Sequence, residues 1–327
     1  MSRGRTLIVT DRPSPDLAIT GVTGSVGGLV AGALAGSGLG LRLLARNPAK
    51  APALPGSVVR ESSYDDFDRS VAALTGTRTL LMVSAAESST RIDDHRTFVD
   101  AAATAGVRHI VYTSFLGASP DAVFTLARDH YRTEEHIRSS GMDHTFLRDA
   151  LYLDFMTALV GEDGVVRGPA GDGRTAAVSR ADVARSAVAV LRDPSAHRGR
   201  TYQLTGPESL TMSEIAEIIG RSRGSEVVFH NETVSEAYLS RRRWRAPEWQ
   251  NDAWVSTYTA IAAGEMDLAS KDVEMLTGIR PISLAEFLAR TSGPARSPDV
   301  GMPDRLGHGP EQTRACTEGS GHDRELG

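Results

Sequence analysis

The chain has 327 residues, 40% of them hydrophobic, enough to bury a large core in one domain with an added lobe or in two domains. Its formal net charge of −5 excludes a global basic field, so binding nucleic acid would have to rest on a local patch. No apolar run approaches the roughly 18 residues that cross a bilayer, the first residues are too charged for a secretory signal, and the single cysteine, Cys316, excludes an internal disulfide. A cytoplasmic protein without nucleic-acid or membrane partners is therefore expected.

Residues 1–16 read as an N-terminal extension, separated from the first convincing strand by Pro13 and Pro15. From residue 17 onward short apolar runs alternate with amphipathic segments. That pattern predicts an α/β fold, a doubly wound parallel sheet of Rossmann type with a smaller C-terminal substrate lobe. Strands are predicted at 17–20, 41–45, 58–59, 80–83, 109–113 and 144–147. Helices are predicted at 27–34, 67–74, 94–105 and 129–139, with Asp93 or Asp94 as a cap and Gly106 and Gly141 at helix ends. The nucleotide-binding domain is placed at 17–155, its sheet completed by segments within 175–206. Beyond a Gly-rich turn at 168–173 come a helix at 181–191, a strand at 202–205 and a helix opened by the capping-box-like Thr211-Met212-Ser213-Glu214. The lobe is placed at 156–291, with Arg241 to Arg245 as a solvated helix face. Residues 292–327, rich in Pro, Gly and charge, are predicted to be disordered.

The segment Leu17-Ala18-Ile19-Thr20-Gly21-Val22-Thr23-Gly24-Ser25-Val26-Gly27 runs a strand into glycines at G-x-x-G-x-x-G spacing and then into a helix. Gly21 would allow the tight turn, Gly24 would admit a pyrophosphate to the backbone, and Gly27 would let helix and sheet pack closely. Thr23, Ser25 and Val26 complete the turn, and the helix start offers free amides and a positive dipole end. An ordinary glycine-rich turn is the alternative. At the end of the second strand this fold places an acid when the cofactor is NAD, and here the chain carries Arg46, with Lys50 nearby. A guanidinium suits a 2′-phosphate, which favours NADPH over NADH. Ser84 and Ala85, at the end of the fourth strand, would let the cofactor lie close to the backbone. Tyr64, Asp65 and Asp66 would suit the adenine but are second to Ser84 and Ala85, because a Tyr-Asp pair can simply start a helix.

These pieces, with Val111-Tyr112-Thr113-Ser114, His130, Thr133-Glu134, Phe146-Leu147-Arg148-Asp149-Ala150-Leu151-Tyr152 and Gly168 to Arg174, resemble the NmrA-like branch of the atypical short-chain dehydrogenases/reductases. Within it the chain looks most like the NAD(P)H:quinone reductase and triphenylmethane reductase group, over about residues 17–290. The resemblance implies reduction of quinones, dyes or other conjugated electrophiles, and it adds Thr113 and Arg148 to the cofactor set. Carbonyl-reducing members of the wider family use a Tyr-x-x-x-Lys pair, in which lysine lowers the tyrosine pKa. By spacing from Glu134 and Ile137 the lysine place holds His130 and the tyrosine place Leu126, which argues against alcohol chemistry.

Hydride addition to a quinone leaves a delocalised, weakly basic oxyanion, so that loss is tolerable. His130 could bond the nicotinamide ribose, Asp149 could accept from the carboxamide or disfavour an anionic product, and Tyr152 is the first choice for the acceptor pocket; these three form the candidate catalytic set. Arg148, placed in the cofactor set by the resemblance, reads by itself more as a structural ion-pair partner than as a substrate clamp. Phe155, Tyr238, Trp244, Trp249, Trp254 and Tyr258 supply further aromatic surface, most of it for the lobe's own core. Glu134, His95, His136 and His144 read as structural, and no metal site is expected. The expected function is an NADPH-dependent oxidoreductase of quinones or similar conjugated aromatic acceptors, as a monomer or homodimer. The alternatives are a non-catalytic NADP(H) redox sensor and a tailoring reductase of an aromatic intermediate.

Overall fold

In the computed structural model, which describes residues 16–291, the chain alternates strand and helix from its first described element. The order is β1 (Leu17–Ile19), α1 (Ser25–Leu34), β2 (Leu41–Ala45), β3 (Ser57–Glu61), α2 (Phe67–Leu74), β4 (Thr79–Met82), α3 (Arg91–Thr104), β5 (His109–Phe115), α4 (Thr125–Ser139) and β6 (Asp143–Asp149). Next come α5 (Leu153–Ala158), β7 (Val165–Gly168), β8 (Arg174–Thr175), α6 (Arg180–Arg192), β9 (Arg200–Leu204), β10 (Leu210–Thr211), α7 (Met212–Arg223) and β11 (Val228–Asn231). The last elements are α8 (Val234–Arg241), α9 (Glu248–Ala262), α10 (Asp272–Thr277) and α11 (Leu284–Thr291). The expected N-terminal extension, apart from Asp16, and the expected disordered tail lie outside the described residues, as does Cys316.

Seven strands form one parallel sheet in the order β3-β2-β1-β4-β5-β6-β9. Strand alternation divides its apolar side chains between two layers. Ile19, Leu43, Leu81, Val111 and Leu147 pack with Val30 and Leu34 of α1 and Val183 and Ala187 of α6. Their neighbours Ala18, Leu44, Leu80, Ile110 and Phe146 pack on the opposite face with Leu74 of α2, Phe98 of α3 and Ile137 of α4. Both faces are buried, which is why these strands read as continuous apolar runs. The fold is the expected doubly wound Rossmann type, with a third apolar cluster formed by β7, α7, α9 and α11 around Val166, Ile219, Tyr258 and Leu288.

Strand order reverses at β1, whose neighbours are β2 and β4. Open α/β sheets take ligands at the carboxyl ends of strands beside such a switch point. The loops after β1, β2 and β4 leave the sheet there. The predicted elements lie within a few residues of those observed, with a local difference at α3. That helix begins earlier than expected, at Arg91, with Thr90 before it making no side-chain cap and Asp93 and Asp94 inside its first turn. The turns at Gly106 and Gly141 agree with the expectation, both at positive φ. No described helix is long and apolar enough to cross a membrane.

Candidate functional site

The glycine turn leaves β1 through Gly21, at φ +63°, and closes on itself where the Gly24 amide donates to the Gly21 carbonyl at 2.9 Å. Gly24 precedes α1 and offers no side-chain cap, and no acid lies in the first turn. The leading amides of a ten-residue helix are thus left for an anion, at the positive end of its dipole. A Cβ on Gly27 would stand 2.5 Å from the Thr20 carbonyl oxygen and closer still to that of Gly21. Backbone packs against backbone at that point, as a dinucleotide cradle requires. Thr23, Gly24 and Ser25 line the exposed lip. Val26 is buried in the core under α1, so its side chain packs and only its amide remains for the cofactor.

Beyond β2, exposed Arg46 lines a hollow of about 290 Å³ together with Glu61, Ser62, Ser63, Asp65, Asp66 and Arg69. Two of its acids are occupied, since Arg69 pairs with Glu61 and with Asp66. Among the described residues Arg46 has no ion-pair partner within 4 Å. Lys50 is exposed on a short turn capped by Asn47 and lies outside the hollow's lining. The residues present therefore fit a phosphorylated dinucleotide, with the turn at 21–27 to hold the pyrophosphate and Arg46 beside the adenosine end.

The exit of β4 is held by side chains from several other elements and loops. Thr20 Oγ1 accepts from the Val83 amide at 2.8 Å, and Tyr64 donates to the Val83 carbonyl at 2.5 Å while bonding Thr20 at 2.6 Å. Thr113 Oγ1 accepts from the Ser84 amide at 2.8 Å. His95 Nε2 accepts from the Ala85 amide at 2.9 Å, and Arg91 Nε donates to the Ala85 carbonyl at 3.0 Å. Tyr64, weighed for the adenine, is instead a strut under this segment and stacks on Phe98 at 4.3 Å. Thr113, expected at the cofactor, uses its hydroxyl to position Ser84. Replacing Tyr64 by Phe removes two short bonds, and a thermal melt is expected to record a loss of about 1–2 kcal/mol.

Behind this segment lies a buried polar chain that the sequence did not announce. Arg91, 4% exposed, donates from Nη2 to His130 Nε2 at 2.8 Å. Arginine has no acceptor, so Nε2 carries the lone pair and the proton sits on Nδ1, which donates to Tyr112 Oη at 2.9 Å. By the same logic His95, accepting on Nε2, donates from Nδ1 to Thr133 at 2.9 Å. Burial, with the Arg91 charge second, holds both imidazoles well below the ordinary histidine value. This corrects the expectation for His130, whose two ring nitrogens are already engaged and leave none for a nicotinamide ribose. His95, read as structural, pins the β4 exit.

Arg148 takes the ion-pair role that its residue type suggested. It points to the α4 face and forms a two-pronged pair with Glu134, Nε to Oε1 at 2.8 Å and Nη2 to Oε2 at 2.7 Å, while Ser114 donates to the same Oε1 at 2.6 Å. Glu134 is completely buried, so its charge commits Nε and Nη2 of that guanidinium. Asp149, on the opposite face, is 3% exposed and accepts from Tyr152 Oη on Oδ2 at 2.8 Å. Its Oδ1 is buried and has no partner among the described residues. Burial pushes this carboxyl up to about 8, against the smaller downward pull of the Tyr152 bond. The same burial, reinforced by Asp149, raises the Tyr152 phenol well above its ordinary value.

The expected aromatic surface divides. Tyr258 is core and fills the space over Gly168, whereas Phe155, Tyr238 and Trp244 are exposed, Trp244 standing edge-on to Trp254 at 5.7 Å. Arg241 departs from the predicted solvated face, being buried against Glu232 at 3.0 Å and over the Tyr258 ring. Among the described residues no three His, Cys, Asp or Glu side chains converge on a common point.

A switch-point glycine turn with an open helix start, and an exposed arginine in a hollow beyond the next strand, define a dinucleotide-binding protein of Rossmann type. A family profile described as NAD(P)H-binding matches residues 21–194, and the chain belongs to that family. It is 33% identical to quinone oxidoreductase 2 of Escherichia coli (strain K12), over 84% of this chain and 97% of that one. The solved NADPH complex of that quinone oxidoreductase superposes with a TM-score of 0.77, at 31% identity over 84% of this chain and 99% of that one. Triphenylmethane reductase of Citrobacter sp., solved with NADP(H), gives 0.75 at 32% identity, covering 84% and 99%. A (4-alkanoyl-5-oxo-2,5-dihydrofuran-3-yl)methyl phosphate reductase of Streptomyces griseus is 35% identical over 68% of this chain and 78% of that one. These relatives bear out the resemblance to the quinone and triphenylmethane reductase group.

Proposed function

We propose that the chain is an NADPH-dependent oxidoreductase that delivers hydride to quinones or similar conjugated aromatic acceptors, without a tyrosine-lysine proton donor. The observation that carries this proposal is the glycine turn with an open α1 start at the switch point, together with a His130 whose ring nitrogens are both committed. Bound NADPH supplies the hydride. The turn at Gly21 to Gly27 and the amides of α1 hold the pyrophosphate, Arg46 meets the 2′-phosphate, and the braced segment at Ser84 and Ala85 keeps a close, rigid wall against the cofactor. Half-buried Tyr152 follows the β6 exit, where an acceptor can meet it, and buried Asp149 lies behind it. The relatives' names support the acceptor class, since a quinone, a triphenylmethane dye and an acylated dihydrofuranone are all conjugated electrophiles. A cytoplasmic monomer or homodimer belongs to the same proposal.

The test is NADPH oxidation across quinones, enones and simple aldehydes with one purified sample. Turnover is expected with the first two classes, and comparable turnover with simple aldehydes would overturn the acceptor class. Replacing Arg46 by Ala removes a charge-assisted contact of about 1.5–3 kcal/mol, so KM for NADPH is expected to rise roughly 10- to 150-fold. KM for NADH, which lacks the 2′-phosphate, should change little. Equal effects on the two cofactors would remove Arg46 from the 2′-phosphate site.

A further inference from the structure

We propose that Asp149 and Tyr152 form a proton relay that protonates the acceptor's oxygen as hydride arrives, taking over the task of the missing tyrosine-lysine pair; this rests on the reductase function proposed above. The two side chains leave the carboxyl end of β6, with Tyr152 Oη 2.8 Å from Asp149 Oδ2. Tyr152 is half-buried, whereas the carboxyl behind it is 3% exposed and has Oδ1 unpartnered among the described residues. No counter-charge from those residues reaches that carboxyl. Arg180 of α6 lies over the Tyr152 ring at 4.7 Å and pairs with Asp154 of α5 at 3.0 Å. Arg148, on the same strand, faces the other layer and pairs with Glu134 of α4. On the neighbouring strands Asp149 is in register with Phe115 of β5 and Leu204 of β9, which carry no charge.

A buried carboxyl without a cation is stable as the neutral acid, and its place up to about 8 agrees with that. In the neutral form Asp149 can donate from Oδ2 to Tyr152 Oη, which frees the phenol hydrogen for a ligand. Hydride from a reduced nicotinamide adds two electrons to the quinone and leaves an oxyanion. The Tyr152 O–H bond breaks toward that oxyanion, the Asp149 proton moves to Tyr152 Oη, and the carboxylate that remains recovers a proton from water after the hydroquinone leaves. Tyr152 never persists as a phenolate. That matters because its surroundings raise its pKa.

The acceptor decides whether the relay is needed. A neutral quinone requires a hydride and a proton, whereas a cationic triphenylmethane dye becomes its neutral leuco form on hydride alone. With the full chain and NADPH, Asp149→Asn and Tyr152→Phe are each expected to lower quinone kcat about tenfold or more beyond any change in dye kcat. Wild-type quinone turnover should fall on the alkaline side of about pH 8, and this limb should be missing from Asp149→Asn. Infrared titration of the cofactor-free protein gives a readout independent of turnover. A protonated-carboxyl band is expected at neutral pH, titrating near pH 8 and absent from Asp149→Asn. Variants slowed equally on both acceptors, or a missing band, would overturn the relay alone. A wild type inert to both acceptors would overturn the reductase function and the relay with it.

Discussion

Replacing Gly27 by Ala is expected to abolish measurable NADPH binding and to destabilise the fold by about 3 kcal/mol. The new methyl group meets the carbonyl oxygens of Thr20 and Gly21, both of them backbone, so no rotamer change can relieve the clash. Helix α1 must then lift from β1. That shift moves the amides which would hold the pyrophosphate and loosens the contacts of Val30 and Leu34 with the sheet. Gly32, in the same helix with nothing within 4 Å of its added Cβ, is the matching control. There alanine is expected to be neutral or to stabilise by roughly 1 kcal/mol through helix propensity. Fluorescence titration with NADPH and thermal melts of both variants decide the matter, and Gly27→Ala binding within twofold of wild type would show that the close approach is not needed.

The second large effect is expected from Arg91→Met. The guanidinium satisfies the Ala85 carbonyl and His130 Nε2 and stands 3.7 Å from Asp129. Methionine fills much of the volume but leaves a half-buried carbonyl, a buried imidazole nitrogen and a half-buried carboxylate unanswered. The expected cost is about 3–5 kcal/mol, or a fall in Tm of roughly 6–20 °C for a protein of this size. KM for NADPH should rise as well, because the segment at Ser84 and Ala85 loses one of its anchors. Calorimetry checks the first effect and steady-state kinetics the second. A variant with unchanged Tm would mean that the buried chain is dispensable.

The same cluster gives stability a pH dependence of known sign. His95 and His130 have folded pKa values below their unfolded ones, so the fold favours the neutral rings. Their contribution is complete above about pH 6.5 and is lost as pH falls, because the unfolded chain then binds protons that the folded chain refuses. Asp149, raised to about 8, contributes in the opposite sense, so it is denaturant melts of Asp149→Asn at pH 7.5 and 5.5 that are expected to show the lower stability at the acidic value.

Of the site, the backbone-defined parts were legible in the sequence. Glycine spacing after an apolar strand reports a steric requirement local to about eleven residues, and Arg46 lies beyond it at a distance set by one strand-helix-strand unit. The side-chain assignments were less legible. Arg148 and His130 have the chemistry to touch a cofactor, and nothing within a few residues reveals that Glu134, Arg91 and Tyr112 satisfy them first. For Tyr64 the signal was equally absent, since its partners Thr20 and Val83 lie at the ends of strands that only the sheet brings side by side.

Fold class, the strand and helix order and the glycine turn were readable along the chain, because hydrophobic periodicity and glycine sterics act over short stretches of it. Tertiary structure alone decided which polar side chains are free. Sheet order placed Arg91 against His130 and Glu134 against Arg148, and it left Asp149 buried with Tyr152 and no cation among the described residues. Burial of a polar group has a cost only its neighbours in space can offset, so a residue's availability for chemistry is settled by contacts remote in sequence.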